Sequence, residues 1–96
     1  MPITFEWDEA KNAVNIARRG LDFDEAIAIF DGAVVERIDQ RRDYGEIRIV
    51  AIGLANDGVE LTVIYTMRGD SRRIISARRS HRHERRTYRQ AYPKQS

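Results

Sequence analysis

Between Glu46 and Ala77 the chain passes through three segments rich in isoleucine and valine: Glu46–Leu54, Val59–Thr66 and Arg72–Ala77. Two short breaks separate them, Asn56-Asp57-Gly58 and a turn built on Gly69-Asp70. Asn, Asp and Gly tolerate the positive φ that a tight hairpin turn demands. Strands joined by hairpins run antiparallel. A three-stranded meander is therefore the fixed frame to which every other segment must attach.

The flanking segments read as follows. Ile3, Phe5 and Trp7 alternate with Thr4 and Glu6, which predicts a short half-buried strand with Trp7 as a core anchor. Asp8 is a good N-cap, Ala10, Ala13, Val14, Ala17 and Leu21 follow at helical spacing, and Gly20 is a C-cap. This predicts a helix over residues 9–19, with Lys11 and Asn15 on a solvated face. Asp22 caps a second helix, with Glu25 in capping-box position, a stripe of Phe23, Ala26, Ile27 and Phe30, and a stop at Asp31-Gly32. Ala33–Ile38 is a further strand, and Asp39–Gly45 is a polar connection. Helical pattern returns from about Arg79 to Tyr92, with one stripe of Ala77, His81, Glu84, Tyr88 and Tyr92 and another of Arg78, Arg82, Arg85 and Arg89. A helix so poor in apolar residues gains little from packing. The expected fold is α+β, in the order β-α-α-β-β-β-β-α. Two N-terminal helices cover one face of an antiparallel sheet, and a C-terminal helix follows.

Charge is distributed unevenly along this frame. Of 17 basic residues 15 are arginine; residues 1–40 carry a net charge of −5 and residues 41–96 a net charge of +7. Between Arg72 and Arg89 there are eight arginines and one glutamate. Guanidinium is always charged, and its planar fork of donors matches phosphate geometry. The basic half suits an anionic polymer, and the acidic half suits a different partner.

Length and composition exclude several classes. Ninety-six residues are one domain, spanning residues 1–96, with a single core. With 42% hydrophobic and 33% charged residues the composition is that of a soluble globular chain. There is no cysteine, hence no disulfide framework and no thiolate metal site, which fits a cytoplasmic location. No apolar run reaches membrane-spanning length, and the first residues do not read as a signal peptide. His81 and His83 stand two apart, on different helix faces, a poor metal pair without a third ligand. No metal or cofactor is expected.

At this point the residues resemble a known family. Phe5-Glu6-Trp7-Asp8-Glu9-Ala10-Lys11, Asn12, Asn15, Gly20, Phe23 and Ala26 are similar to the opening of BrnT toxins. So are Asp43-Tyr44-Gly45-Glu46-x-Arg48, Tyr65-Thr66-x-Arg68, Arg73-Ile74-Ile75-Ser76-Ala77-Arg78, and the later Glu84 and Tyr88. The resemblance spans about residues 3–90. It implies a RelE-like fold and a ribonuclease toxin of a type II toxin–antitoxin system. It also implies a DNA-binding BrnA-like antitoxin encoded by the adjacent gene, through which alone the toxin meets operator DNA. One departure stands out: the family usually carries Lys-His-Gly where this chain has Arg18-Arg19-Gly20. Arginine does not carry protons at neutral pH. Either the position is structural or this member is weakened.

RNA is cleaved without metal when a base deprotonates the 2′-oxygen and cationic donors stabilise the phosphorane dianion. The expected catalytic set is Arg68, Arg73, Arg78, Glu46 and Glu84, with Arg48, Arg72, Arg82 and Arg85 as RNA-binding residues. His81, His83, Tyr65 and Tyr88 are further candidate proton carriers, although Tyr65 alternates with Val63 and Leu61 and so reads as core. Glu46 and Arg48 share a strand face and suit an ion pair as well as a site. Glu84 suits a salt bridge to Arg78. On a regular strand Arg73 and Arg78, five apart, point to opposite faces. Two readings follow: a metal-independent endoribonuclease that inhibits translation, or a non-catalytic module whose arginines hold nucleic acid while its acidic half docks a protein. A proton carrier beside the arginine cluster separates them.

Overall fold

A computed structural model describes residues 3–41 and 43–93. The elements are β1 (Thr4–Trp7), α1 (Glu9–Arg19), α2 (Phe23–Ala26), a 3-10 turn (Ile27–Asp31), β2 (Val35–Ile38), β3 (Ile49–Leu54), β4 (Glu60–Arg68), β5 (Ser71–Arg79) and α3 (Arg82–Ala91). The order is the expected one. Asp8 accepts from the Ala10 and Lys11 N–H groups at the start of α1, and Gly20 ends it with φ 65°.

The five strands form one sheet in the order β1-β5-β4-β3-β2. Strands β2 to β5 pair antiparallel, as the turn signals require, while β1 lies parallel to β5. The sheet is thus mixed rather than wholly antiparallel. β1 and β5 are joined by the whole intervening chain, so no hairpin sets their relative direction. The strand expected to begin at Glu46 begins at Ile49. The last rung to the β2 side is Asp39 N–H to Arg48 O at 2.8 Å, and the chain from Tyr44 to Arg48 approaches as a loop.

One face of the sheet packs on α2 and the 3-10 turn. Phe23, Ala26, Ile29, Ala51, Leu61, Val63, Tyr65, Ile74 and Ala77 are buried there, with Phe5 and Trp7 packed against them. Trp7 meets Phe23 edge to face at 6.0 Å, and Tyr65 meets Phe30 likewise at 5.5 Å. Gly53 is required by this packing: a Cβ there would lie 2.9 Å from Ile29 Cβ and 3.1 Å from Val34 Cγ1.

α1 departs from the amphipathic expectation. Val14 and Ile16 are 50% and 43% exposed, and the buried residues are Asn12 and Asn15. β1 ends at Trp7 opposite Ile74, so the outer edge of β5 beyond that point lacks a strand. α1 packs there instead and supplies side-chain hydrogen bonds. Asn15 Oδ1 accepts from the Ala77 N–H at 3.2 Å, and its amide donates to Leu21 O at 2.9 Å. Asn12 Oδ1 accepts from the Phe23 N–H at 2.9 Å, and its amide donates to Asp22 at 3.1 Å. Asn15 is therefore a buried connector and not part of a solvated face. Buried backbone donors must find partners, and these asparagines provide them.

The strand β5 contains a β-bulge. Ile64 pairs with Ser76 and Tyr65 with Ile74, leaving Ile75 without a partner on β4. One extra residue shifts the alternation by one. Ile74 and Ala77, three apart, thereby both reach the core. Arg73 and Arg78, expected on opposite faces, instead share the face away from α2.

α3 crosses that second face at one end of the sheet. Glu84 and Tyr88 are its buried residues. Tyr88 OH donates to Ala33 O at 2.9 Å and Tyr92 OH to Val34 O at 3.0 Å. Arg78 belongs to β5 and not, as the spacing suggested, to the helical arginine stripe.

Candidate nucleic-acid interface

The half of the second face that α3 leaves open is built from a cross-strand row. Thr66 on β4 pairs with Arg73 on β5, and Arg73 with Glu6 on β1. Arg73 Nη1 lies 2.9 Å from Glu6 Oε2. On the other flank Thr66 Oγ1 donates to Ile47 O at 2.7 Å, which pins the chain entering β3 alongside β4. Arg48 precedes Ile49, whose side chain turns toward the core, and so lies on the open face. Its guanidinium sits 3.9 Å from the centre of the Tyr44 ring and its Nε 3.5 Å from Glu46 Oε2. That Nε is buried and makes no hydrogen bond among the described residues. One step further along β4, Arg68 pairs with Ser71 across the Gly69 turn. It makes no side-chain hydrogen bond or ion pair to the described residues, and it is exposed.

The structure thus brings together Arg48, Arg68, Arg73 and Glu46 from the expected set. It adds Glu6 and Tyr44, which sequence reasoning did not select. The signal for Glu6 was present in the alternation Phe5-Glu6-Trp7, which turns Glu6 away from the core. What was missing was the parallel β1–β5 pairing that sets it beside Arg73.

Arg78 and Glu84 stand apart. Arg78 pairs with Thr62, four residues from Thr66 on β4, so it is about 13 Å along the face from Arg73. It lies beneath α3 in a forked ion pair, Nη1 to Glu84 Oε1 at 2.6 Å and Nη2 to Glu84 Oε2 at 2.9 Å. Glu84 Oε1 also accepts the His81 N–H at 2.7 Å, which closes the first turn of α3. Burial disfavours the charged carboxylate. The hydrogen bonds from Arg78 and His81, and the Arg78 charge, outweigh it and hold Glu84 at about 2. A group so firmly ionised is a poor proton carrier at neutral pH. The arrangement suits the ion-pair role for Glu84 rather than the catalytic one.

Arg72 is not on the open face at all. It pairs with Met67 and Phe5 on the helix side of the sheet, its guanidinium 4.2 Å from the Phe30 ring centre and 5.4 Å from that of Tyr65. Tyr65 donates to Glu36, and burial, then that hydrogen bond, push its hydroxyl above the usual tyrosine range. Arg72 therefore stacks on a core wall, and Tyr65 fills the core role its alternation predicted. Arg82 and Arg85 lie on α3, beyond the open face, with Arg85 donating to Ser80 O at 2.7 Å. Arg19 borders a cleft of about 330 Å³ with Leu21, Glu25, Asp57 and Arg79 on the helix side. The departure from the family's histidine thus falls outside the arginine-lined face.

His81 and His83 rings are 5.9 Å apart, and among the described residues no three His, Asp or Glu side chains gather to hold a metal ion. No described helix is long and apolar enough to cross a membrane.

Comparison with known proteins agrees with this architecture. The chain is similar to the crystal structure of the Brucella abortus ribonuclease toxin BrnT. The TM-score is 0.57 at 26% identity, covering 83% of this chain and 99% of that one. No match is found among curated proteins. The family model described as "Ribonuclease toxin, BrnT, of type II toxin-antitoxin system" matches residues 7–84. That span runs from the last residue of β1 to the buried glutamate of α3, and the chain belongs to the BrnT family of ribonuclease toxins of type II toxin–antitoxin systems.

Proposed function

We propose that this chain is a metal-independent endoribonuclease that cleaves RNA and thereby inhibits translation, and that the open face of the sheet is its active site. The observation that carries the reading is Arg68. It is a guanidinium with no internal partner among the described residues, on the same face as Arg48 and Arg73, each of which is paired with a carboxylate. A cation left unpaired next to two positioned ones suits a phosphate whose charge increases in the transition state.

In this reading Arg68 and Arg73 bind the scissile phosphate, and Arg73 is aimed by Glu6. Glu46 takes the proton of the attacking 2′-hydroxyl. Its side chain remains one-third exposed and 3.5 Å from Arg48, a contact that positions it and leaves it open enough to reach substrate. Arg48, stacked on Tyr44, binds an adjacent phosphate. The 2′-oxygen attacks phosphorus, the P–O5′ bond breaks, the departing 5′-oxygen takes a proton from water to become a 5′-hydroxyl, and a 2′,3′-cyclic phosphate remains. Arg78 and Glu84 fix α3 to the sheet and bound the face at its far end. As the resemblance implies, a BrnA-like antitoxin from the adjacent gene neutralises the toxin by binding it.

Incubating the purified protein with RNA in EDTA tests the reading. The expected result is cleavage that leaves cyclic phosphate ends, reduced by about 10²-fold or more in Arg68→Ala with the fold intact. RNA that stays intact while binding in a salt-sensitive manner would instead identify a non-catalytic nucleic-acid module.

A further inference from the structure

Four arginines on α3, Arg82, Arg85, Arg86 and Arg89, line one shallow groove of about 420 Å³ together with Gln90. The helix buries Glu84 and Tyr88 against the sheet. At 100° per residue Arg82 and Arg86 project from the side nearly opposite those two, away from the sheet and from the open face. The groove is therefore a separate surface.

Its charges are poorly compensated. Arg89 is neutralised by Glu60, at 2.7 and 3.1 Å. Arg85 donates to a carbonyl, which orients it and leaves its charge intact. Arg82 and Arg86 make no side-chain hydrogen bond or ion pair to the described residues. Residues three and four apart on a helix are neighbours, so 82–85 and 82–86 are like-charged pairs that oppose the helix with no carboxylate between them. Such a stripe is relieved by a polyanion.

The lining also selects the polyanion. A protein interface centres on a buried aromatic or aliphatic anchor, and this groove has none. Aromatic platforms on which bases stack are also missing from its lining. What the groove offers is guanidinium forks spaced along a helix, suited to successive phosphates without regard to base.

We infer that the outer face of α3 is an exosite that binds the backbone of single-stranded RNA extending from the open face. It raises affinity for long RNA without reading its sequence. The inference rests on the reading of the chain as an RNA-acting protein, and its test does not depend on cleavage.

The test measures binding of 2′-O-methyl RNA, which lacks the attacking hydroxyl, by fluorescence anisotropy across a salt series. With an oligomer of roughly 16 nucleotides, Arg82→Gln/Arg86→Gln should bind about 10-fold to 30-fold more weakly at 0.1 M salt. The slope of log K against log salt should become shallower by about 1.4, two single-strand phosphate contacts' worth. With an oligomer of roughly 4 nucleotides, too short to span both surfaces, the variant and the parent should bind alike. Arg82→Lys/Arg86→Lys should recover most of the salt slope, because charge rather than fork geometry dominates it. The thermal midpoint of the glutamine variant should be unchanged or higher, where a structural role for these side chains would lower it. An unchanged slope on the long oligomer, an equal loss on the short one, or no binding of the long oligomer by the parent protein would each overturn the exosite. Tight binding without cleavage of ordinary RNA would overturn the catalytic reading and leave the exosite standing.

Discussion

Replacing Glu84 by glutamine should unlock α3 from the sheet at a cost that can be worked out in two ways. The side chain is 2% exposed and its carboxylate takes both forks of Arg78, itself 17% exposed. Removing one partner of a buried ion pair costs about 3–5 kcal/mol because the other charge is stranded. Arg78 retains some water, which places the expectation at the lower end. The ionisation of Glu84 gives an independent figure. Its carboxyl sits at about 2 in the folded chain against an ordinary 4.5, worth about 3 kcal/mol. Because the folded value is depressed, this stabilisation is present above about pH 4.5 and is lost as pH falls toward 2. Glu84→Gln should therefore lose about 3 kcal/mol at pH 7, a fall in thermal midpoint of about 12–24 °C for a domain of this size. The gap between parent and variant in urea denaturation should close as pH drops from 5 to 2, since the parent then becomes protonated as well. Replacing both partners with methionine should recover most of the loss, because a well-packed apolar pair avoids the desolvation cost. A loss below about 1 kcal/mol at neutral pH, or a gap that does not change with pH, would refute the claim that this ion pair fastens the helix.

Three further substitutions test other joints. Asn15→Ala should destabilise by about 2–3 kcal/mol in urea, since it strands the Ala77 N–H and Leu21 O, two backbone groups that no strand serves. Gly53→Ala should destabilise by about 1–3 kcal/mol, because its Cβ would fall 2.9 Å from Ile29 Cβ and 3.3 Å from Ile29 O, forcing the 3-10 turn off the sheet. Glu6→Gln should lower the cleavage rate more than it lowers stability. Glu6 and Arg73 are 40% and 30% exposed, so their pair is worth less than about 1 kcal/mol to the fold while setting where Arg73 points. Equal losses of rate and of folded fraction would make Glu6 merely structural.

Most of the architecture was readable from local chemistry. The Asn-Asp-Gly and Gly-Asp turns fixed the antiparallel meander, and Asp8 and Gly20 marked both ends of the first helix, because caps and turns are decided within a few residues. What escaped depended on pairings distant in sequence. Nothing near Phe5-Glu6-Trp7 announces that β1 will lie parallel beside β5, so the Glu6–Arg73 contact was invisible. The α1 stripe of alanine and valine reads as a core face until the edge of β5 is found to require Asn15. The bulge at Ile75 is the most consequential case. Alternation along Arg73-Ile74-Ile75-Ser76-Ala77-Arg78 sends the two flanking arginines to opposite faces. The requirement that Ile74 and Ala77 both reach the core overrides alternation, and one unpaired residue carries both arginines to the same side. Once there, α3 separates them. Its glutamate takes Arg78 into a buried pair about 13 Å from Arg73, leaving Arg73 with Arg48 and Arg68 on the open half. The same bulge that keeps the core continuous thus sets both arginines on one face, and the ion pair under α3 decides which of them stays on its open half.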